Sequence, residues 1–373
     1  MKEISIVTTQ AFSLINFRGD LISLLVAEGW KVTCIATDFD DETINYFKSR
    51  NISTVKISGN RADLNLTSEI YFFIDLFRTI CKLKPDVVLL YFIKPIVYGS
   101  IITRILKIKR RVLLIEGLGY IFTEKKFYIK YLMRPLVSLL YILSLNLSSK
   151  IIVLNNEDKK LISSMTYDKA KIMKINGIGV NLNKFKRNTD ESNKVKVFDF
   201  GFFGRFLVHK GVLEIISASK ILREKGYSIK IGFWGYVDEN PTSVTLSQVM
   251  QWDKEGLINY MGFSSNVATD MTKCKAVLLP SYREALPRSI QEAAALSIPA
   301  IVTDVPGCNE VVLDKVTGLL CRKGDPHDLA AKMELYLKNE YLVTEHGSAA
   351  MIRARTIYDS EDINRHFLDI LSG

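Results

Sequence analysis

Short apolar segments alternate with helix-length segments along this chain, and this alternation limits the folds that the chain can adopt. In the first half, apolar runs that predict buried β-strands are separated by amphipathic stretches such as the helix DLISLLVAEG. The strand segments are KEISIVTT, WKVTCIAT, STVKIS, PDVVLLYF, RVLLIEG and KIIVLN. Apolar strands that alternate with helices are typical of a parallel, doubly wound α/β sheet.

The length of the chain predicts two such domains. Its 373 residues exceed the size at which one hydrophobic core keeps growing, and its 48% of hydrophobic residues can fill two cores. The stretch 183–196, NKFKRNTDESNKVK, is charged and lacks periodicity. We therefore expect one Rossmann-like domain over residues 1–188 and a second over residues 189–373, which face each other across a cleft.

Two glutamates lie eight residues apart where a predicted strand passes into a predicted helix. The run KAVLLP at 275–280 predicts the strand, and Pro287 followed by RSIQEAAAL predicts a helix with proline at its first position. Glu284 is then on the loop and Glu292 in the helix. The carboxyl edge of a parallel sheet is its usual ligand site, and a helix N-terminus there favours a phosphate. Taken alone, the pair is more often a helix-dipole partner and a solvated helical residue.

A turn with glycines and two cations precedes this region. In residues 198–211, FDFGFFGRFLVHKG, an apolar strand runs into Gly204, Arg205 and Lys210. A diphosphate needs cations and unobstructed backbone: arginine supplies a planar fork of donors, lysine a movable charge, and glycine allows close approach. By itself the pattern also fits a solvated basic turn.

These motifs, with IPAIVTDVPGCNE downstream, resemble the nucleotide-binding half of glycosyltransferase family 4, whose members are retaining enzymes of the GT-B fold. The resemblance implies that Arg205 and Lys210 hold the diphosphate of a sugar nucleotide. Glu284 would face the donor sugar, and Glu292 would hold the ribose hydroxyls. Further donor contacts are implied at Gly204, Ala285 and Leu286. Ala285 stands where the family usually has glycine, and its Cβ narrows the backbone approach to the donor.

The segment Glu116-Gly-Leu-Gly follows the predicted strand RVLLI, at a carboxyl end of the first sheet. Many relatives have a histidine there, but all four histidines of this chain lie in its second half. With GYVDENP at 235–241 and NGIGVNLNK at 176–184, EGLG resembles the subgroup that extends polyprenyl-diphosphate-linked oligosaccharides, such as bacterial α-1,3-N-acetylgalactosaminyltransferases. The resemblance implies that Glu116 is catalytic, together with Glu284, Arg205 and Lys210. A solvated turn residue is the alternative for Glu116. In the GT-B fold the final helix, expected here within residues 361–371, packs toward the N-terminal domain.

The segment 11–19, AFSLINFRG, follows the first strand and is expected to form a loop that opens the first helix. Relatives often have adjacent glycines there, close to the donor phosphate. This chain offers Gly19, with Asn16 and Arg18 as polar alternatives. We expect a minor donor contact at Gly19, and Arg18 fits equally an exposed cation at a helix start.

The net charge of +10 belongs to the first domain. Residues 1–188 contain 29 Lys and Arg against 16 Asp and Glu, whereas residues 189–373 contain 21 against 24. A basic face attracts anionic lipid or nucleic acid.

The composition of the basic segments favours lipid. Residues 125–150 mix lysines, tyrosines and a long apolar run, as an interfacial membrane helix does, and residues 68–84 are a second candidate. An ordinary core helix is the alternative for both. Arg134-Pro135 interrupts the longer run and leaves fewer than the roughly 18–20 apolar residues that a span needs. We expect an anionic membrane surface as a partner, and no nucleic acid.

No cofactor or metal ion is expected. Residues 38–41, DFDD, contain the D-x-D pattern of metal-dependent transferases of another fold, but they are far in sequence from Arg205 and Glu284 and fit a surface turn. No H-E-x-x-H, G-x-S-x-G or Walker A sequence occurs. The five cysteines form no C-x-x-C pair, which indicates reduced thiols in the cytoplasm, and MKEISIVTT predicts a strand rather than a signal peptide.

The sequence thus predicts a retaining, metal-independent transferase on the inner face of the plasma membrane. It would move a sugar, which the subgroup resemblance implies is N-acetylgalactosamine, from a UDP-sugar to a polyprenyl-diphosphate-linked saccharide in bacterial surface-glycan synthesis. A sugar-nucleotide 2-epimerase of the same fold is one alternative, although that family lacks the Gly-Arg, Lys-Gly and E-x7-E set. A non-catalytic basic module that binds nucleic acid is the other, and only the charge of +10 suggests it.

Overall fold

The computed structural model describes residues 1–59, 66–117, 134–186, 196–238, 240 and 242–373. These residues form two compact units. The first consists of Met1–Ile178 together with Glu361–Gly373, and the second consists of Gly179–Ser360. The second unit therefore begins ten residues before the limit expected at residue 188, and the end of the chain belongs to the first unit.

The first unit is built on a seven-stranded sheet whose paired strands are all parallel. Its order is β3-β2-β1-β4-β5-β6-β7. The direction in which successive strands are added to the sheet therefore reverses between β1 and β4. The strands are β1 (Glu3–Val7), β2 (Lys31–Ala36), β3 (Ser53–Lys56), β4 (Val87–Tyr91), β5 (Arg110–Ile115), β6 (Lys150–Val153) and β7 (Ile172–Lys174).

Helices connect these strands and bury one face each against the sheet. A hydrophobic core joins β-strand residues to Leu76, Ile102, Tyr141 and Ile162 from four different helices. Strands covered in this way read as continuous apolar runs, which is why VVLLY of β4 is buried at every position. The helices are α1 (Ala11–Ala27), α2 (Asp41–Lys48), α3 (Leu66–Leu83), α4 (Ile93–Ile105), α5 (Arg134–Leu147) and α6 (Asn156–Met165).

The second unit repeats this arrangement with a six-stranded parallel sheet. Its order is β10-β9-β8-β11-β12-β13, with the reversal between β8 and β11. The strands are β8 (Phe198–Phe203), β9 (Ile231–Trp234), β10 (Asn259–Gly262), β11 (Cys274–Leu279), β12 (Ala300–Thr303) and β13 (Gly318–Cys321).

Several helices of the second unit start at side chains that accept a hydrogen bond from the first turn. Thr245 accepts one from the Gln248 N–H, and Asp325 accepts one from the Asp328 N–H. The helices of this unit are α7 (Val212–Glu224), α8 (Leu246–Lys254), α9 (Val267–Thr272), α10 (Arg288–Ala295), α11 (Cys308–Val311), α12 (Pro326–Lys338) and α13 (Glu340–Ile357). The last helix of the chain is α14 (Ser360–Ser372).

The parallel, doubly wound α/β sheet predicted from the alternation is confirmed in both units. The loop predicted over residues 11–19 is wrong, because α1 begins at Ala11. The Ala11 N–H donates to the Asp38 carboxylate over 2.6 Å, which holds the start of the helix against the segment after β2. Gly19 is consequently inside a helix, where a Cβ would lie 3.8 Å from the Tyr46 hydroxyl oxygen.

The two candidate membrane segments differ in how much of them is described. Helix α3, which overlaps the candidate 68–84, buries Phe72 and Leu76 and exposes Ile70 and Tyr71. Residues 125–133 of the other candidate lie outside the described residues, and its remainder includes α5. In the described part of the chain, no helix is both long and apolar enough to cross a bilayer.

Candidate functional site

The loops after β8 and β11 meet the general requirement for a ligand site in a sheet of this type. These two strands are neighbours at the point where the strand order reverses, so the loops that leave their carboxyl ends flank one position at the edge of the sheet. The first loop contains Gly204, Arg205 and Lys210, and the second contains Glu284 and Ala285. The fold thus brings together the two motifs that the sequence analysis considered separately.

Lys210 and Glu284 form an ion pair at this edge. The Nζ atom of Lys210 lies 2.5 Å from Oε1 of Glu284, and the two side chains are 22% and 11% exposed. The backbone holds the two loops together, since the Tyr282 N–H donates to the His209 carbonyl over 2.8 Å and the Ser281 hydroxyl donates to the same oxygen over 3.0 Å. These hydrogen bonds fix the loop that carries Lys210 relative to the loop that carries Glu284.

Two glycines allow this close approach. Gly211 has φ 79°, and a Cβ there would lie 2.2 Å from the carbonyl oxygen of Pro280, which directly follows β11. Gly307 has φ 80°, and a Cβ there would lie 2.3 Å from the carbonyl oxygen of Glu284. Any side chain at either position would push the loop with Glu284 out of place.

Arg205 pairs with Asp238, a residue with no role predicted from the sequence. Its Nη1 donates to Oδ2 of Asp238 over 2.6 Å, and the Arg205 and Asp238 side chains are 33% and 17% exposed. Asp238 is held in turn by the Asn240 N–H, which donates to Oδ1 over 2.9 Å. Asp238 follows β9, the neighbour of β8, so the loops that carry Arg205 and Asp238 leave adjacent strands. The match of GYVDENP was the available signal, although Glu239 and Pro241 of that segment lie outside the described residues.

The two ion pairs belong to one cluster, because all four charged groups act on the imidazole of His209. Burial lowers the pKa of His209, and the charges of Lys210 and Arg205 lower it further, whereas Glu284 and Asp238 oppose them. An imidazole in such surroundings favours its neutral form. The cluster therefore consists of two cations, two carboxylates and an imidazole whose lowered pKa favours the neutral form.

Glu292 lies in α10, as the sequence predicted, and it is 8% exposed. Its Oε1 is 2.8 Å from Nε of Arg288. Burial raises the pKa of Glu292 above its usual range, against the opposing charges of Arg288 and Lys184. A buried carboxylate with a raised pKa is a feature of ligand sites as well as of structural ion pairs.

The remaining residues assigned from the sequence fall into two groups. Leu286 is buried and Ala285 is partly buried, and both lie in the loop before α10. In the first unit, Glu116 directly follows β5 and pairs with Arg18, and residues 118 and 119 of EGLG lie outside the described residues. As a helical residue, Gly19 has no open backbone N–H to offer a phosphate.

The two aspartates of the D-x-D sequence accept hydrogen bonds at helix N-termini in this structure. Asp38 accepts a hydrogen bond from the Ala11 N–H over 2.6 Å, and Asp40 caps α2 by accepting one from the Thr43 N–H over 2.8 Å. The hydrogen bonds from Thr43 hold the pKa of Asp40 below its usual value. Both carboxylates thus have structural partners at helix N-termini.

Comparison with known proteins agrees with this architecture. Residues 8–156 match the family described as glycosyl transferase 4-like, and residues 184–354 match the family described as glycosyl transferases group 1. The N,N'-diacetylbacillosaminyl-diphospho-undecaprenol alpha-1,3-N-acetylgalactosaminyltransferase of Campylobacter jejuni is 27% identical over 88% of this chain and 88% of its own length.

The name of a second relative also contains an undecaprenol-linked diphosphate. The UDP-Gal:alpha-D-GlcNAc-diphosphoundecaprenol alpha-1,3-galactosyltransferase of Escherichia coli is 25% identical over 86% of this chain and 80% of its own length. Among solved structures, Anabaena Alr3699/HepE in complex with UDP and glucose has a TM-score of 0.80 and 16% identity, with 100% of both chains covered. The chain therefore belongs to the glycosyltransferases of the GT-B fold, with a glycosyl transferase 4-like region followed by a glycosyl transferases group 1 region.

Proposed function

We propose that this protein transfers a sugar, with retention of anomeric configuration, from a UDP-sugar to a polyprenyl-diphosphate-linked saccharide in the synthesis of a bacterial surface glycan. The observation that carries the proposal is the cluster formed by Arg205, Asp238, Lys210 and Glu284 at the reversal point of the second sheet. The names of the two relatives, which both contain an undecaprenol-diphosphate acceptor, support the acceptor class. We propose N-acetylgalactosamine as the transferred sugar, by similarity to the Campylobacter jejuni relative.

The cluster has the composition that a sugar diphosphate requires. The side chains of Lys210 and Arg205 are 22% and 33% exposed, so both cations are accessible to a phosphate group. Oxygens of the diphosphate replace or share the carboxylates as partners of these cations. Glu284 then accepts hydrogen bonds from hydroxyl groups of the donor sugar, next to the phosphate that Lys210 holds.

Glu292 fits a contact to the ribose. The residue is 8% exposed and lies in the first turns of the helix that follows the loop with Glu284. A carboxylate at such a position accepts hydrogen bonds from two neighbouring hydroxyl groups, as acidic residues of dinucleotide-binding sheets do. Because this contact is made with the bound donor and in the transition state alike, we assign it to affinity rather than to rate.

The chemical step breaks the bond between the anomeric carbon and the oxygen of the β-phosphate. The oxygen of an acceptor hydroxyl forms the new bond on the same face of the sugar, and its proton passes to an oxygen of the leaving diphosphate. UDP and the extended saccharide are the products. Arg205 and Lys210 stabilise the negative charge that grows on the leaving group, a role that cationic side chains can perform without a metal ion.

The first unit is proposed to serve the acceptor and the membrane. A polyprenyl chain keeps the acceptor in a bilayer, and the first unit, with 27 Lys and Arg against 19 Asp and Glu, attracts an anionic surface. We therefore place the protein on the cytoplasmic face of the membrane, as a peripheral protein that does not bind nucleic acid.

The test is a panel of UDP-, GDP- and ADP-sugars, each incubated with and without a polyprenyl-diphosphate-linked saccharide. Release of nucleoside diphosphate and the mass of the acceptor are both followed. We expect release to depend on a UDP-sugar and to be stimulated by the acceptor, with one hexose or N-acetylhexosamine added. Interconversion of the donor to its 2-epimer without any glycosylated product would overturn the proposal.

A further inference from the structure

The first unit contains a second polar cluster, centred on Arg18 and Glu116. Nη2 of Arg18 donates a hydrogen bond to Oε1 of Glu116, which lies 98 positions further along the chain. The Arg18 side chain is 2% exposed, whereas that of Glu116 is 16% exposed. The cation is therefore buried, and the carboxylate still reaches the surface of the described part of the unit.

Two aromatic rings fix the guanidinium group. Its carbon lies 5.6 Å from the centroid of the Tyr91 ring and 5.5 Å from the centroid of the Phe367 ring. Tyr91 ends β4, and Phe367 belongs to the last helix, α14. The Tyr91 hydroxyl lies 2.8 Å from Oγ of Ser13, so this ring is held in place as well. Attraction between a desolvated cation and the faces of aromatic rings keeps Arg18 in one position.

A contribution to folding stability does not explain this cluster, because the buried charge costs free energy. Burying a charged pair costs desolvation energy that an apolar pair of similar volume would avoid. In addition, Nε of Arg18 is buried and has no hydrogen-bond partner among the described residues. A costly buried cation beneath a partly exposed carboxylate is better explained by what that carboxylate does.

One oxygen of Glu116 is available for a ligand. Within the described residues, the hydrogen bond of this side chain is accepted by Oε1, and Oε2 has no partner. Glu116 follows β5 at the carboxyl edge of the sheet, the edge at which ligands bind in this fold. An ionised carboxylate oxygen there accepts a hydrogen bond from a hydroxyl group, the polar group that sugars present.

Backbone strain marks the same edge. Phe92 directly follows β4, the neighbour of β5, and it has φ 68° and ψ 157°. A bulky residue rarely adopts a positive φ, and conformations of this kind persist mainly at ligand sites. Strands β4 and β5 are neighbours in the sheet. The strained Phe92 follows one of them, and Glu116, which Arg18 holds in place, follows the other.

We propose that Arg18 is a positioning residue, which holds Glu116 so that Oε2 accepts a hydrogen bond from a hydroxyl group of the acceptor saccharide. Arg18 itself contacts no substrate and acts through Glu116. The inference rests on the proposed function, because it names the residues that recognise the sugar acceptor of that reaction. The inference also assigns a role to helix α14, because the ring of its Phe367 packs against the guanidinium group of Arg18.

The experiment compares wild type with Arg18→Met, Glu116→Gln and the double variant, all with the active UDP-sugar and a polyprenyl-diphosphate saccharide. For Arg18→Met we expect kcat/KM for the acceptor to fall by about 10- to 100-fold, the effect of misplacing one hydrogen bond to a charged group. Donor KM should stay within about twofold, because the donor contacts of the proposed function, at Arg205, Lys210, Glu284 and Glu292, are in the second unit. The double variant should be no worse than Glu116→Gln, since Arg18 acts only through Glu116.

Further variants separate positioning from stability. Arg18→Lys, which keeps the charge, should restore part of the acceptor kcat/KM. Phe367→Leu keeps both charged residues and should show a smaller defect confined to the acceptor, and it decides the matter if Arg18→Met does not fold. Lys31→Met, which removes an exposed cation 2.9 Å from Glu3 in the same unit, should behave as wild type.

Two results would overturn the inference: acceptor kinetics of Arg18→Met and Phe367→Leu equal to those of wild type, or defects of Arg18→Met and Glu116→Gln that multiply in the double variant. Both require an active wild-type enzyme. A wild type that glycosylates no polyprenyl-linked acceptor with any sugar in the panel fails the proposed function instead, and the two failures are therefore distinguishable.

Discussion

The ammonium group of Lys210 contacts the carboxylate of Glu284 over 2.5 Å, although 74 positions separate the two residues in the chain. The contact exists because β8 and β11 are neighbours in the sheet and because Gly211 and Gly307 leave room for the loops to meet. A diphosphate that binds Lys210 is thereby brought next to Glu284. In the proposed function, the pair thus links the cation assigned to the leaving phosphate to the carboxylate assigned to the donor sugar.

Replacing Lys210 by methionine should lower kcat by about 100-fold or more, because the variant loses a cation beside the negative charge that develops on the leaving diphosphate. Steady-state transfer assays measure the effect. Lys225→Met is the matched control, since Lys225 pairs with Glu334 over 2.7 Å at an exposed position of the same unit. Turnover of Lys210→Met close to that of the control would remove Lys210 from the diphosphate site.

Asp238→Asn should bind the donor more tightly than wild type. Asn keeps the shape of the side chain but removes the negative charge that lies 2.6 Å from Arg205, so the guanidinium has one competitor fewer for the diphosphate. We expect donor KM and the inhibition constant for UDP to fall by several-fold together. An increase in both constants would mean that the Asp238 charge is needed to orient Arg205.

Glu292→Gln should weaken donor binding, with an increase in donor KM that exceeds any change in kcat. It should also change the pH dependence of stability. Burial raises the pKa of Glu292 above its ordinary value of 4.5, so the folded state binds this proton more tightly than the unfolded state does. Stability from this group is therefore present at acidic pH and is lost as pH rises through the raised pKa.

Thermal unfolding at a series of pH values measures the second effect. Relative to wild type, Glu292→Gln should gain Tm between about pH 4.5 and neutrality, because the variant has no buried carboxylate to ionise. A difference in Tm that is constant with pH would show that Glu292 is ionised at no cost, and an unchanged donor KM would reject the ribose contact.

Activity should survive chelation of divalent ions. In the proposed function, Arg205 and Lys210 supply the positive charge that a metal ion would bring to the diphosphate, and Asp38 and Asp40 are hydrogen-bonded at helix N-termini. Transfer rates are compared before and after dialysis against EDTA. Loss of activity that manganese restores would contradict this prediction and make Asp38 and Asp40 the candidate metal ligands.

Replacing Lys125, Lys126 and Lys130 by glutamate should sharply reduce binding to anionic liposomes, since each cation near such a surface contributes on the order of 1 kcal/mol. Sedimentation with vesicles measures it. The matched control changes three exposed lysines of the second unit to glutamate, namely Lys220, Lys230 and Lys254. Equal sedimentation of wild type and the first triple variant would leave residues 68–84 as the next segment to test.

Local sequence determines much of the fold. Continuous apolar runs such as VVLLY predict buried parallel strands, and a proline or a capping side chain marks where several helices begin. The same reasoning failed for residues 11–19, because the start of α1 depends on Asp38, a residue 27 positions away. A helix start fixed by a distant carboxylate leaves no local pattern.

The sequence by itself determined which residues lie in the loops at the carboxyl ends of the strands: Arg205 and Lys210 after one strand, Glu284 after another, and Glu116 in the first half. Tertiary structure decided their partners, since Arg205 meets Asp238 and Glu116 meets Arg18 only in the folded chain. The physical reason is that periodicity reports which face of a strand or helix is buried, whereas a partner depends on which strands become neighbours in the sheet. The orders β9-β8-β11 and β1-β4-β5 join segments that are far apart in the chain, and their side chains meet only after the sheets have formed.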